Sequence, residues 1–422
     1  MLKTLKGRLV RVLFWSQAYV KTDMVYLASG GFWLILAQVI SSLSALALAI
    51  AFANLVPPET YGTYKYVLSL AGIFAIFSLP GMTTALARAT AQGKESTIRA
   101  VTRSRIFHAC IGGIFALAGS AYYFLNENVQ LSLTLLIIAA TLPLFDTLTT
   151  YLSYLVGKRR FDLRTRYYAL TQVASTLVLL VTILFTDNLI LILIAYFLPL
   201  VGIRAALYYH IARTIPHTST DEEDAEVKKY GKHLTAMQIL SIVANEVDKI
   251  LIWKFLGPTH VAVYTFALAI PEQIRGPLKG VGELAFPKFA AQTPEQIREN
   301  LPALWRKLAL YALGLFGISL LYALTAPYVF QLIFPQYIES VPYSQLFAFS
   351  MVANVASIPI TILSAQKKTS VQYIISTIQP IMAIGLLIFL IPLYGIMGAI
   401  IALMLSKLIT VTMYLGSLFT LK

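Results

Sequence analysis

The sequence predicts an all-α integral membrane protein of about twelve transmembrane helices, in two six-helix lobes related by a pseudo-two-fold axis. Three observations carry that prediction. Of 422 residues, 58% are hydrophobic and only 12% charged, where a soluble domain carries about 25% charged residues. Apolar runs of the roughly 20 residues that a helix needs to cross a bilayer recur along the whole chain. The chain also resembles itself at a shift of 200 positions.

Taken in order, the chain opens with residues 1–25, where Lys3, Lys6, Arg8 and Arg11 interleave with Leu2, Leu5, Leu9, Val12, Leu13 and Phe14. That pattern predicts a basic amphipathic helix on the cytoplasmic membrane face, since a cleavable signal peptide needs a long apolar core and a small-residue cleavage site. Spans follow at 30–55, 63–87, 104–125, 130–156, 167–186 and 188–212, making a first lobe of residues 26–213. The polar stretch Thr214 to Lys232 predicts a cytoplasmic loop between the lobes, and its acidic run Asp221 to Asp224 reads as solvated chain. Spans at 233–256, 261–288, 304–326, 341–366, 370–391 and 395–420 then make a second lobe, residues 233–422.

The connections alternate in charge. Those at Pro57–Thr60, Asn126–Asn128, Thr186–Asn188, Gly257–His260, Ala326–Val341 and Pro392–Gly395 lack Lys and Arg. The others are basic: Lys94, Arg99, Arg103 and Arg105; Lys158 to Arg166; Arg213, Lys228, Lys229 and Lys232; Lys288 to Lys307; Lys367 and Lys368. Basic loops face the cytoplasm, so an even number of spans places both termini there, in a cytoplasmic membrane. The net charge of +14 is thereby spent on topology, and nucleic acid is not an expected partner. Cys110 is alone and the five His residues form no ligand pair, so neither a disulfide framework, a metal site nor a cofactor is expected.

At the shift of 200, Gly31 meets Gly231, Gln38 meets Gln238, Pro58 meets Pro258, Tyr64 meets Tyr264 and Gln92 meets Gln292. With six helices between copies, both run in the same direction. Parallel repeats about an axis along the membrane normal, with a site near the midplane between them, are transporter architecture. The segment Asn54-Leu-Val-Pro-Pro-Glu-Thr-Tyr-Gly-Thr-Tyr-Lys-Tyr66, with Gly81 and Ala85 to Arg88, resembles the opening of Wzx-like polysaccharide (O-antigen) flippases. Asp248-Lys-Ile-Leu-Ile-Trp-Lys-Phe-Leu-Gly257, with Val263, Tyr264 and Pro287, resembles the start of their second lobe, although Ala262 stands where the family usually has Gly. These flippases belong to the multidrug/oligosaccharidyl-lipid/polysaccharide (MOP) exporter superfamily, which includes the MATE exporters. The resemblance implies a bacterial inner-membrane carrier, and no enzyme. It would flip undecaprenyl-pyrophosphate-linked oligosaccharide outward by alternating access for cell-surface polysaccharide, in contact with membrane lipid and with glycan-assembly proteins as candidate partners.

One stretch, His233 to Ala290, carries ionisable groups inside apolar spans: Glu246, Asp248 and Lys249 in the first, and Glu272, Arg275, Lys279 and Glu283 in the second. Such groups cost a few kcal/mol each, roughly 2.5–3.5, at the bilayer centre and are therefore paired or face a watery path. Asn245, Asp248 and Lys249 share one helix face, and the second set forms a continuous stripe beside Gly276, Gly280 and Gly282. Arg275, Lys279, Lys249 and Lys65 are the candidate pyrophosphate ligands, because cationic donors suit its oxygens. Glu246, Asp248, Glu272, Glu283 and Asn245 are candidates for H+ or Na+ coupling or for charge pairing. Helix locking by a pair such as Asp248–Arg275 stays open as an alternative, as does a cation-coupled multidrug exporter of the same superfamily. Lys407, Arg88 and Arg204 are weaker candidates, the last two reading as interface anchors. Asp146 with Pro143 reads as a helix bend with a locally satisfied carboxyl, and His108 as packed or hydrogen-bonded. Trp33, Tyr122, Tyr123, Trp253, Tyr328 and Tyr337 fit interface belts. No catalytic residues are expected, since the longest non-basic connection, Ala326 to Val341, holds Glu339 as its only charge.

Overall fold

A computed structural model describes residues 24–216, 220–278, 289–290, 292–366 and 368–420. The surface helix expected at the N-terminus lies almost wholly outside the described residues, as do Lys279, Glu283 and Lys367. The first half of the chain folds as α1 (Met24–Leu55), α2 (Pro58–Phe74), α3 (Gly81–Ala91), α4 (Ile98–Leu125), α5 (Val129–Phe145), α6 (Thr150–Gly157), α7 (Phe161–Phe185) and α8 (Leu189–Ala212). The second half folds as α9 (Asp221–Leu256), α10 (Pro258–Leu278), α11 (Pro294–Glu299), α12 (Leu301–Ile333), α13 (Val341–Ala348), α14 (Ser357–Ala365) and α15 (Thr369–Ser417).

Local chemistry sets the ends of these helices. Pro58 and Pro294 sit in first turns, where the missing N–H would be unsatisfied anyway. Asn128, Asn188 and Thr220 accept hydrogen bonds from the first exposed N–H groups of α5, α8 and α9. Breaks fall where the ladder cannot continue. Between α2 and α3 the backbone passes through Leu79 in the left-handed region and then Pro80, and the two helices are bent by 46°. Gly395, at φ 59° and ψ −137°, reverses α15. In consequence Gln379 Nε2 donates to Ser406 Oγ at 3.2 Å, although 27 residues of straight helix would span about 40 Å.

Among the described residues, eight helices are long and apolar enough to cross a membrane, or nine if the bent α2–α3 pair is one broken span. That measure does not reach the twelve expected. The charged helices α9 and α10 fall outside it, and both arms of α15 lie in one of its spans. Two connections also differ from expectation. The stretch expected to be a loop, Thr214 to Lys232, is helical from Asp221 onward, because Thr220 caps it and acidic residues in a first turn favour the helix dipole. Ala326 to Val341 is likewise no loop: α12 runs to Ile333, and a 3₁₀ turn covers Pro335–Ser340. Large apolar side chains such as Phe107, Leu125, Phe185, Leu321 and Leu332 stand exposed on the outer faces, as they do in a protein whose solvent is lipid.

The two halves repeat a contact, α1 against α7 and α9 against α15. They are joined most closely along α2 and α3. A Cβ on Gly62 would lie 1.8 Å from the carbonyl oxygen of Pro258, and one on Gly81 would lie 2.3 Å from the backbone nitrogen of Thr235. Only glycine permits either approach. At the end without basic connections, one apolar core spans both halves, from Phe52, Tyr61 and Tyr64 through Tyr264 and Phe266 to Phe330, Phe334 and Tyr337. Toward the basic end there are two smaller cores, one joining α9 to the first half around Met82, Leu86, Tyr151 and Val227, the other within the second half around Leu308, Ile362 and Tyr414. The two halves thus share one large apolar core, which clamps them at the end away from the basic connections, and at the basic end they meet where α9 packs on α3. Trp253 and Tyr337 belong to the clamp and not to an interface belt: Trp253 stacks on Tyr66 at 4.3 Å, and Tyr337 is fully buried. Tyr122 and Tyr328 are exposed, as a belt requires.

Candidate functional site

The charged face of α9 lies where the two halves meet. Lys249 Nζ is 3.1 Å from Glu246 Oε2, 3.2 Å from Asp248 Oδ1 and 3.1 Å from the carbonyl oxygen of Asn245. The other oxygen of Asp248 accepts a 2.6 Å hydrogen bond from the Tyr264 hydroxyl on α10. Asp248 is therefore buried with both oxygens satisfied, the condition under which a carboxylate persists in an apolar interior. Gly72 on α2 makes room for Glu246, whose Cδ lies 3.1 Å from where a Cβ would be.

Two chambers open on either side of this cluster, and Lys249 lines both. The smaller, about 340 Å³, lies at the seam between Lys65, Ser69 and Gly72 on α2, Phe145 and Tyr196 of the first half, and Glu246 and Lys249. Lys65 holds its ammonium over the rings of Tyr61 and Tyr64, at 5.3 and 5.9 Å from their centres. The larger, about 750 Å³, is lined, among the described residues, by the second half. It brings Asn245, Asp248, Lys249, Glu272 and Arg275 together with Asn354 and Lys407. Arg275 Nη1 donates to Glu272 Oε1 at 2.8 Å, and its Nε donates to Asn354 Oδ1 at 3.2 Å. Lys407 Nζ lies 3.7 Å from the same Glu272 oxygen, 3.3 Å from Ser350 Oγ and 4.3 Å from the centre of the Phe347 ring.

The expected candidates are therefore gathered in one region, with two exceptions: Lys279 and Glu283 fall outside the described residues. Their pairing differs from the expected lock between α9 and α10. Glu246 and Asp248 hold Lys249 on their own helix, while Arg275 turns to Glu272 and Asn354. Asn354, Ser350 and Tyr264 were not expected at the site. Each is a polar residue in an apolar sequence context, and a lone amide or hydroxyl there signals no more than local bonding. Among the described residues, no group of three or more His, Cys, Asp or Glu is placed to hold a metal ion.

A second ionic network lies in the first half. Arg105, assigned above to a basic connection, is 0% exposed inside α4. Its Nη2 donates to Asp146 Oδ2 at 2.6 Å, its Nε to the carbonyl oxygen of Ser78 at 2.8 Å and its Nη1 to that of Thr147 at 3.3 Å. Ser78 Oγ donates to the same Asp146 oxygen at 2.9 Å. Asp146 does end a helix, but partners on other helices satisfy its carboxyl, so the expected local bond is replaced by a brace across two helix breaks. His108 is hydrogen-bonded, as expected, to the carbonyl oxygen of Ser104. Arg88 lies over the Tyr230 ring, and Arg204 bonds the carbonyl oxygen of Phe145.

A family model described as polysaccharide biosynthesis protein matches residues 27–292. Among solved structures, the chain is similar to an inward-facing multidrug resistance MATE family transporter of the MOP superfamily, with a TM-score of 0.63 at 13% identity over 90% of this chain and 95% of that one. It is also similar to the lipid II flippase MurJ in an inward closed conformation, with a TM-score of 0.59 at 14% identity over 92% and 87% of the two chains. A third similar structure is a MOP superfamily transporter from Pyrococcus furiosus, with a TM-score of 0.58 at 13% identity over 94% and 96%. At such identities the likeness is one of fold. The search of curated proteins returned no match.

Proposed function

The chain belongs to the polysaccharide biosynthesis protein family, and from that premise we propose that it is a flippase for undecaprenyl-pyrophosphate-linked oligosaccharide. The fold is that of MOP superfamily transporters, and its relatives in fold are transporters and flippases and not enzymes. One observation carries the substrate reading: a cationic lining, Lys65, Lys249, Arg275 and Lys407, on two adjoining chambers, one at the seam of the halves and one within the second half, with Lys249 on both. A phosphorylated headgroup needs several such donors at once. With the basic end facing the cytoplasm, both termini lie on the side on which the lipid-linked sugar is made.

In this reading the headgroup and glycan enter between the halves, the polyprenyl tail stays in lipid, and the clamp around Tyr61, Phe266 and Tyr337 parts to release them. The test is export of glycan by cells carrying Arg275→Ala, with folded protein in the membrane measured alongside. Export should fall at least about tenfold, the scale of losing one charge-assisted contact, at unchanged protein level; undiminished export by Lys249→Gln combined with Arg275→Gln would sink the cationic seat.

The acids carry a second reading, H+- or Na+-coupled multidrug export, because Asp248 and Glu272 face the same chamber as the cations. Drug resistance conferred by the chain, lost in Asp248→Asn and independent of any glycan pathway, is its signature.

A further inference from the structure

Asn354 lies in a 3₁₀ stretch, Phe349–Ala356, and is 8% exposed. Its amide oxygen faces Arg275 Nε at 3.2 Å. A guanidinium only donates, so the amide cannot be turned round, and its nitrogen must point the other way. Among the described residues that nitrogen has no hydrogen-bond partner. A buried donor left unpaired costs about 1–3 kcal/mol. Asn354, Arg275 and Lys407 all line the 750 Å³ chamber. There they converge with Glu272, one oxygen of which is 2.8 Å from Arg275 Nη1 and 3.7 Å from Lys407 Nζ. Glu272 is the most accessible of the three charged groups, 38% exposed against 23% for Arg275 and 18% for Lys407.

We infer that Arg275, Lys407 and the Asn354 amide form a seat for an oxyanion wholly within the second half, and that Glu272 is the resident counter-ion which the oxyanion displaces. The carboxylate occupies the point between two cations that a ligand oxygen would take, while the free amide N–H supplies a third donor that the carboxylate leaves unused. An incoming phosphoryl or carboxylate group satisfies all three. Glu272 then swings into the open chamber, where water solvates it. The identity of the ligand rests on the flippase reading. The two sources of such an oxyanion are the pyrophosphate of the carrier lipid and the carboxylate of an acidic sugar in the glycan.

The test uses the full chain in lipid nanodiscs, titrated by calorimetry with inorganic pyrophosphate, with galacturonate and with galactose. One or both anions should bind while galactose does not; pyrophosphate binding assigns the seat to the carrier, galacturonate binding to the glycan. Glu272→Gln should tighten binding about tenfold by removing the competing charge, and Asn354→Asp should weaken it at least as much by replacing a donor with a second acceptor. Asn354→Asp preserves shape and the contact with Arg275, so its thermal unfolding should stay near that of the parent, separating lost binding from lost folding. Affinity unmoved by Asn354→Asp, or no anion bound even by Glu272→Gln, would overturn the seat. If the seat behaves as described in a protein that moves no lipid-linked glycan, the flippase reading fails and the seat stands. Full glycan transport by Asn354→Asp has the opposite meaning.

Discussion

Arg105 is the side chain whose removal should cost most. It holds the ends of two broken helices, at Ser78 and at Asp146–Thr147, and no water reaches it. Arg105→Ala leaves a carboxylate and carbonyls without their donor, and breaking a pair of this kind costs roughly 3–5 kcal/mol, less here for the part-exposed Asp146. Denaturant unfolding in detergent should show a loss of that order. A double variant with Asp146→Leu should recover part of it, because no charge is then stranded. Tyr264→Phe is the milder counterpart: losing the hydroxyl bonded to Asp248 should destabilise by about 1.5–3 kcal/mol, as for a hydrogen bond to a charged group. Composition alone hid Arg105, which sits among Arg99 and Arg103 in a basic cluster. The signal was there in the topology. Arg105 and Asp146 lie at similar distances on either side of the turn at Asn126–Asn128, and so at similar depth on antiparallel neighbours. A lone carboxylate in an apolar span calls for such a partner.

At the scale of elements, most helix bodies were legible because hydropathy and loop charge report them directly. Their joints were less so. The acidic run at Asp221 has the composition of solvated chain, yet an acidic first turn behind a Thr cap is a helix start, and α9 extends back to it. That extension packs on α3 and is tied to the preceding connection by Lys94, whose Nζ is 2.7 Å from Glu226 Oε2. The hydrogen bond with Lys94 lowers the Glu226 pKa, and the same bond raises that of Lys94. The contribution of the depressed carboxylate is present above the ordinary Glu range and lost as pH falls through its folded value. That of the raised ammonium is present below the ordinary Lys range and lost as pH rises through its folded value. Between roughly pH 5 and pH 10 neither changes, so transport by Glu226→Gln should keep the parent's pH profile across that window, measured as initial rate against pH. The steric joint is sharper. Gly62→Val places a side chain on the carbonyl of Pro258, and should either remove folded protein from the membrane or force the clamp apart, seen as new labelling of a cysteine at Ala262. Close approach was legible only as a glycine in a family-like motif; the partner across the seam was not.

For the whole molecule, the repeat and the alternating charge point to two halves around a midplane site; among the described residues Lys65, Glu246 and Lys249 line a chamber between the halves, and Glu272, Arg275 and Lys407 one within the second half. What hydropathy could not report was the asymmetry of the seam: one broad apolar core shared by both halves at the end away from the basic loops, and at the other end a smaller one where α9 alone meets the first half, beside a third within the second half. Alternating access requires the shared core to part. Cysteines replacing Tyr61 and Phe266, whose rings lie 4.8 Å apart, should therefore stop transport when bridged by a short thiol cross-linker and release it on reduction. The exposed Cys110 must first be changed to Ser. The most direct test of the central claim is flux in proteoliposomes of the purified chain loaded with fluorescent undecaprenyl-pyrophosphate oligosaccharide, read as headgroup accessible to an impermeant reagent. The parent should move it, and Lys249→Gln combined with Arg275→Gln should cut the initial rate by at least about tenfold while unfolding at a similar temperature. A parent that moves none of this lipid but exports cationic drugs down an ion gradient, or a double variant as fast as the parent, would contradict it.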